Sequence, residues 1–111
     1  MKAVISYTDF TKIDIRIGTI IEVTNFSKAK KAAYQIQIDF GELGIKKTSA
    51  QITTLYSKKD LIEKQVTAVI NFKAKQVANF KSECLILGIQ NGNDVVLLKS
   101  NNIIKNGTSI S

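Results

Sequence analysis

Residues 33–40 read "AYQIQIDF". Tyr34, Ile36, Ile38 and Phe40 fall on one side of an extended chain, and Gln35, Gln37 and Asp39 on the other. A strict period of two marks a β-strand with one face in a core. Downstream, "VTAVINF" at 66–72 repeats the pattern with Val66, Ala68, Ile70 and Phe72, all expected inside. Upstream, "IDIRIGTIIEV" at 13–23 starts with Ile13, Ile15 and Ile17 on one face and then meets Gly18. Beyond the glycine, Ile20 and Ile21 put bulk on both faces. A long strand with a mid-strand glycine is expected to bend there and serve two sides of a barrel. "CLILGI" at 84–89 is apolar on both faces, which predicts a central strand. "DVVLLK" at 94–99 follows Gln90–Asn93, whose Asn-Gly pair predicts a hairpin.

Helix signals are few. In "SKKDLIEK" at 57–64, Ser57 with Asp60 three residues on makes a near capping box, and Leu61 and Ile62 would anchor the helix. "TDFTK" at 8–12 predicts another turn, and "KAKKAAY" at 28–34 a polar turn or short helix. The order is long strand, strand, strand, short helix, strand, strand, strand. That is the pattern of an all-β Greek-key barrel of the OB type, with five to six strands and one or more short helices. A β-sandwich is the competing architecture, because pattern alone does not fix closure. A chain of 111 residues makes one domain, with the barrel core at about residues 10–100.

No apolar run approaches the ~20 residues of a membrane span. The apolar stretch at Met1–Ser6 is too short for a signal peptide, so the expected compartment is the cytoplasm, with no membrane insertion. The lone Cys84 suits a reducing compartment and excludes an internal disulfide. The chain has no histidine, which removes the commonest general base and most zinc chemistry. Its carboxylates are scattered, "GELG" at 41–44 lacks the lysine of a phosphate loop, and Cys84 sits in an apolar run. No catalytic residue, metal site or cofactor is expected, and a binding module is the better class. The formal charge is +7, carried by lysines with the single exception of Arg16. It has two readings: a polyanion partner, or a lysine-rich surface from an AT-rich genome. Lysine lacks arginine's bidentate fork, so a polyanion contact here would be electrostatic rather than base-specific.

"FTKIDIRIGTIIEV" at 10–23 resembles the opening strand of bacterial tRNA-binding domains, and "VINFKAKQVANFKSECLILG" at 69–88 resembles their closing motif. Within that family the chain resembles the CsaA-type export-related chaperones. The likeness lies in "DFGELGIKKTSAQIT" at 39–53, "LYSKKDLIEKQV" at 55–66 and the pair Ser82-Glu83. It runs from about Phe10 to Ile110. It implies an OB-fold homodimer that binds unfolded or presecretory polypeptide, with tRNA as the alternative ligand. The chain departs from the CsaA pattern in two loops. Lys73-Ala74-Lys75 and Asn79 replace proline, arginine and glycine, and 27–33 lacks proline. Both loops are therefore expected to be less rigid. Glu83 opposes phosphate, which favours peptide over tRNA.

The expected site centres on the doubled Asn-Phe-Lys at 71–73 and 79–81. Phe72 continues an inward face and is expected in the core. Phe80, off the strand period, is expected in a loop facing the ligand, with Lys73, Lys75 and Lys81 around it. Ser49, Gln51, Asn71, Gln76, Ser82 and Glu83 supply polar contacts. Arg16 beside Asp14 is expected to form a structural ion pair. Lys28, Lys30 and Lys31 would extend the basic rim. Val4, Ile5, Tyr7 and Phe10 at the head, with Ile103, Ile104 and Ile110 at the tail, have no place in a small barrel. They predict terminal extensions that dimerise.

Overall fold

A computed structural model describes all residues, Met1–Ser111. The head carries a one-turn helix α1 (Tyr7–Thr11). The long strand β1 (Ile15–Asn25) follows, then β2 (Tyr34–Asp39) and β3 (Ile45–Ala50). A second short helix, α2 (Lys58–Leu61), leads to β4 (Gln65–Val69). Then come the hairpin β5 (Lys75–Val77) and β6 (Phe80–Ser82), a short β7 (Leu85–Ile86), the hairpin β8 (Gly88–Asn91) and β9 (Asp94–Leu97), and β10 (Ser109–Ile110). The main sheet runs β3-β2-β1-β4-β7, with β10 added to β1, and its pairings are antiparallel.

Both helices start with a full capping box, Ser6 with Asp9 and Ser57 with Asp60. Two orphan donors are satisfied at each start, which lets helices of one turn hold. The Asp60 carboxyl is held below its ordinary value, chiefly by accepting the Ser57 backbone N–H.

The strand at 33–40 keeps its pattern: Tyr34, Ile36, Ile38 and Phe40 are buried in the barrel with Val66 and Ala68. β1 differs from expectation. Its interior positions beyond the start are Gly18, Ile20 and Val23, while Ile15 and Ile17 lie on the opposite, outer side. β1 serves two sides of the barrel, pairing with β4 over residues 15–19 and with β2 over 19–25, so the change of partner falls next to Gly18. A Cβ there would lie 2.5 Å from Ile38 Cγ2 and 2.7 Å from Phe40, so the glycine makes room for a close crossing of the barrel. The irregularity falls later, where Ile20 pairs with Ile38 and Glu22 with Gln37. Ile21 is the extra residue of that bulge, which explains bulk on both faces.

The tail covers the outer face of β1 and β4. Ile17 and Gly107 share a backbone hydrogen bond of 2.7 Å, and the Gln65 side chain grips Ile104 through both its amide nitrogen and its carbonyl oxygen. Ile17 is thus buried outside the barrel core. The central strand expected at 84–89 is not central: β7 is short, pairs only with β4, and ends the sheet. Its apolar neighbours split between β7 and the start of β8, so the run serves two elements rather than two faces of one. The β8–β9 hairpin forms as expected, with Gly92 at φ +64° in its turn.

Candidate ligand-binding groove

The two ends of the main sheet, β3 and β7, do not pair with each other. The barrel is closed beside them by residues 82–84. The Glu83 N–H donates to the Lys47 carbonyl at 2.8 Å, and the Glu83 Oε1 accepts the Lys47 N–H at 3.0 Å. The carboxylate thus stands where a strand carbonyl would. The Ser49 N–H donates to the Ser82 hydroxyl at 2.8 Å, and the buried Thr48 hydroxyl donates to the Cys84 carbonyl at 2.7 Å. Side chains complete a ladder that the backbone leaves unfinished.

Over this seam opens a groove of about 1080 Å³. Its floor and walls include Ser49, Gln51, Ser82, Glu83 and Leu85, and Phe72 and Val77 add apolar surface. Lys30, Lys73 and Lys75 bring three positive charges against the one carboxylate of Glu83. A second cavity of about 340 Å³ shares Ser49, Gln51 and Leu85 with the groove and continues to the β8–β9 hairpin. Its further lining is largely apolar: Ala50, Ile52, Ile86, Val95 and Leu97.

Seven of the ten residues expected from the sequence line this groove: Ser49, Gln51, Lys73, Lys75, Gln76, Ser82 and Glu83. Three do not. Asn71 is used inside the fold: its carbonyl oxygen accepts the Asp14 N–H at 2.9 Å and its amide donates to the Lys12 carbonyl at 2.8 Å, tying the head to the end of β4. Phe80 is in β6 rather than a loop, and half-buried. Its ring lies 5.5 Å from that of buried Phe26, and Lys47 Nζ sits 5.3 Å from its centroid. It lines a cavity of only about 80 Å³ beside Glu22 and Gln37, apart from the groove. Lys81 is exposed next to it and does not line the groove. The lysine over Phe80 is therefore Lys47, not 73, 75 or 81.

Phe72 was expected in the core and is 55% exposed on the groove wall. β4, which buries Val66 to Val69 on both faces, ends at Val69, so its burial no longer extends to a residue three positions on. Ile70, just past the strand end, still packs against the core. Leu85 and Val77 were not anticipated as lining. The signal was there in outline, since each stands close to a polar residue of the motif, but an apolar residue near a core strand reads first as core.

Two further expectations fit. Arg16 Nε donates to Asp14 at 2.6 Å, and Asp14 raises the guanidinium pKa. Cys84 is buried; loss of solvent pushes its thiol up to about 12, with the negative charge of Glu83 adding to the shift. A thiol so placed stays protonated at neutral pH and is a poor nucleophile. No three His, Cys, Asp or Glu side chains gather in one place. No helix is long and apolar enough to cross a membrane.

The match to known proteins is extensive. Residues 15–109 fit the family model described as "Putative tRNA binding domain". The chain belongs to the tRNA-binding-domain family. Among solved structures, the chaperone CsaA of Bacillus anthracis is 49% identical and superposes with a TM-score of 0.93, covering 98% of this chain and all of that one. The CsaA chaperone of Picrophilus torridus is 48% identical with a TM-score of 0.92, over 97% of this chain and all of that one. Among curated proteins, the methionine–tRNA ligase of Nanoarchaeum equitans is 34% identical over 106 residues, which is 96% of this chain and 13% of the ligase. The chain therefore spans about one-eighth the length of that relative, and the match is to one domain of it. The OB-type barrel expected from the strand pattern is the fold of these neighbours, and the sandwich alternative is set aside.

Proposed function

We propose that the chain is a non-catalytic binding module of the cytoplasm that captures unfolded or presecretory polypeptide, in the manner the CsaA neighbours' description as chaperones suggests. One observation carries this reading. The groove over the β3 seam joins apolar surface at Phe72, Val77 and Leu85 to three lysines and a row of hydrogen-bonding side chains. Unfolded chains offer the matching features: apolar side chains, unpaired backbone groups and acidic residues. The groove, of about 1080 Å³, has room for an extended segment; the one carboxylate in its lining, Glu83, is engaged with the Lys47 N–H, the Cys84 thiol is held protonated, and no metal-ligand cluster lies there.

A second reading has its own support. The same three lysines, on a domain of the tRNA-binding family, suit a phosphate backbone. Salt separates the two. Each neutralised phosphate contributes about −0.7 to −0.9 to the slope of log affinity against log salt, so three lysine contacts predict a slope of about −2 to −3. Capture of an apolar peptide weakens far less. Fluorescence competition between an unfolded, reduced polypeptide and bulk tRNA, from low to moderate salt, is the test. We expect the polypeptide to bind with a shallow slope. Tight, steep tRNA binding with no binding of polypeptide would overturn the chaperone reading.

The exposed ends support a homodimer. Val4 is 86% and Ile103 87% exposed, and Ile5 and Tyr7 are exposed as well. Tyr7 and Phe10 share one cavity wall with Ile110, so head and tail form a single apolar-edged surface. A twofold interface would cover it on both subunits at once. Sedimentation equilibrium should find a dimer at micromolar concentration, and a monomer when residues 1–7 are deleted.

A further inference from the structure

The edge of β3 that faces the groove is only partly used. Lys47 and Ser49 turn their backbone groups away from β2, toward the seam, where Glu83 and Ser82 meet the Lys47 N–H, the Lys47 carbonyl and the Ser49 N–H. The bonding then stops. The Ser49 carbonyl is approached only by the Thr48 hydroxyl at 3.3 Å, and that hydroxyl gives its one proton to the Cys84 carbonyl at 2.7 Å. Gln51, one residue past the end of β3, has a backbone N–H and carbonyl that make no hydrogen bond within the chain. These three open groups lie where the groove and the second cavity meet, since both are lined by Ser49 and Gln51. Backbone groups left open on a sheet edge are a template for another strand.

We propose that an extended polypeptide binds by strand addition, pairing its backbone with the open groups of Ser49 and Gln51 at the end of β3, where the groove and the second cavity meet. The inference rests on the groove being a polypeptide site and names the mode and the ligand class. Successive side chains of an added strand point to opposite sides. One set meets the apolar cavity at Ala50, Ile52, Val95 and Leu97, and the other meets Lys73 and Lys75. The preferred segment therefore alternates apolar with acidic or polar residues. Main-chain bonds supply affinity without regard to sequence, and the two walls supply the preference.

The test uses the full-length protein and three fluorescein-labelled heptapeptides alternating leucine and glutamate. One is unmodified, one N-methylated on its leucines, one on its glutamates. Methylation removes N–H donors in one phase of the strand and leaves the other. Loss of two backbone bonds weakens binding by about tenfold or more. We expect that loss in one phase and near-native affinity in the other. We also expect Gln51→Pro, which removes a donor the fold does not use, to bind the unmodified peptide about tenfold more weakly than Gln51→Ala, which loses the same side chain and keeps the backbone N–H. Equal affinity in both phases, or equal loss in both, overturns strand addition and leaves the polypeptide reading standing. No binding of the unmodified peptide while labelled tRNA binds overturns both. Should Gln51→Pro fail to fold, the N-methyl series decides alone.

Discussion

The barrel has two unlike sides. On one, β1 pairs with β2 over six residue pairs and with β4 over five, and the interior between them is tight enough that Gly18 leaves no room for a methyl group. On the other, β3 and β7 share no ladder, and Glu83, Ser82 and Thr48 bridge the gap with side-chain hydrogen bonds. Backbone pairing seals a wall and leaves nothing to offer a ligand. Side-chain bridging holds the barrel together at a few points and leaves backbone groups and cavities between them. The stable half of the molecule and the binding half are built from the same sheet by two different kinds of hydrogen bond.

The largest effects should come from breaking the tight side. Phe40 is fully buried and packs where β1 and β2 face each other, so Phe40→Ala should cost ~3–5 kcal/mol in urea unfolding. Gly18→Ala adds only a methyl group, but it meets Ile38 and Phe40 side chains at 2.5–2.7 Å, and ~1–3 kcal/mol is expected from overpacking. If Gly18→Ala were neutral, the two sides would differ less in packing than in hydrogen bonding.

The bridged side should respond less. Glu83→Ala removes the acceptor for the Lys47 N–H, while the Glu83 N–H to Lys47 carbonyl bond survives. Lys47 is exposed, so water replaces part of what is lost, and about 1 kcal/mol is expected. Glu83→Gln keeps a carbonyl oxygen in place and should retain most of the stability. Removing the charge should also raise affinity for acidic peptide. A loss in Glu83→Ala comparable to that in Phe40→Ala would mean that the seam is as structural as the wall.

Much of the tight side was legible in the sequence, because a strand with one wet face writes its burial as alternation. Tyr34 to Phe40 needed only a period of two; Val66 and Ala68 follow it as well, but β4 also buries Thr67 and Val69 on its other face, which a period of two does not announce. Ile13, Ile15 and Ile17 misled because the apolar face they share lies outside the barrel: the tail beside β1 bonds to Ile17, which is buried there, while Ile13 is 39% exposed. The bulge at Ile21 and the close crossing at Gly18 depend on partner strands, which no local pattern contains. The groove was legible by residue type, since Ser49, Gln51 and the lysines at 73 and 75 are polar beside the motif. Its aromatic residue was not. Phe72 and Phe80 each sit between asparagine and lysine, and choosing between them required knowing where β4 stops and that Phe26 waits for the second ring.

The smallest effect on stability, and the one that separates the two phenylalanines, belongs to Phe72. It lies beyond the end of β4, is 55% exposed and touches the groove rather than the core. Phe72→Ala should therefore change unfolding free energy by no more than about 0.5 kcal/mol, as for a surface position. As an apolar anchor in a binding groove, its removal should weaken peptide binding by ~1–3 kcal/mol. Phe80→Ala should do the reverse. Its ring packs on Phe26 and under Lys47, and both contacts are internal, so ~1–2 kcal/mol of stability is expected to go while peptide affinity in the folded protein stays near native. Urea melts and fluorescence titrations on the two variants read both quantities. If Phe80→Ala abolished peptide binding and Phe72→Ala spared it, the ligand would lie on the outer face of β1 and β2 near Glu22 and Gln37, and the open seam would be only a gap in the barrel.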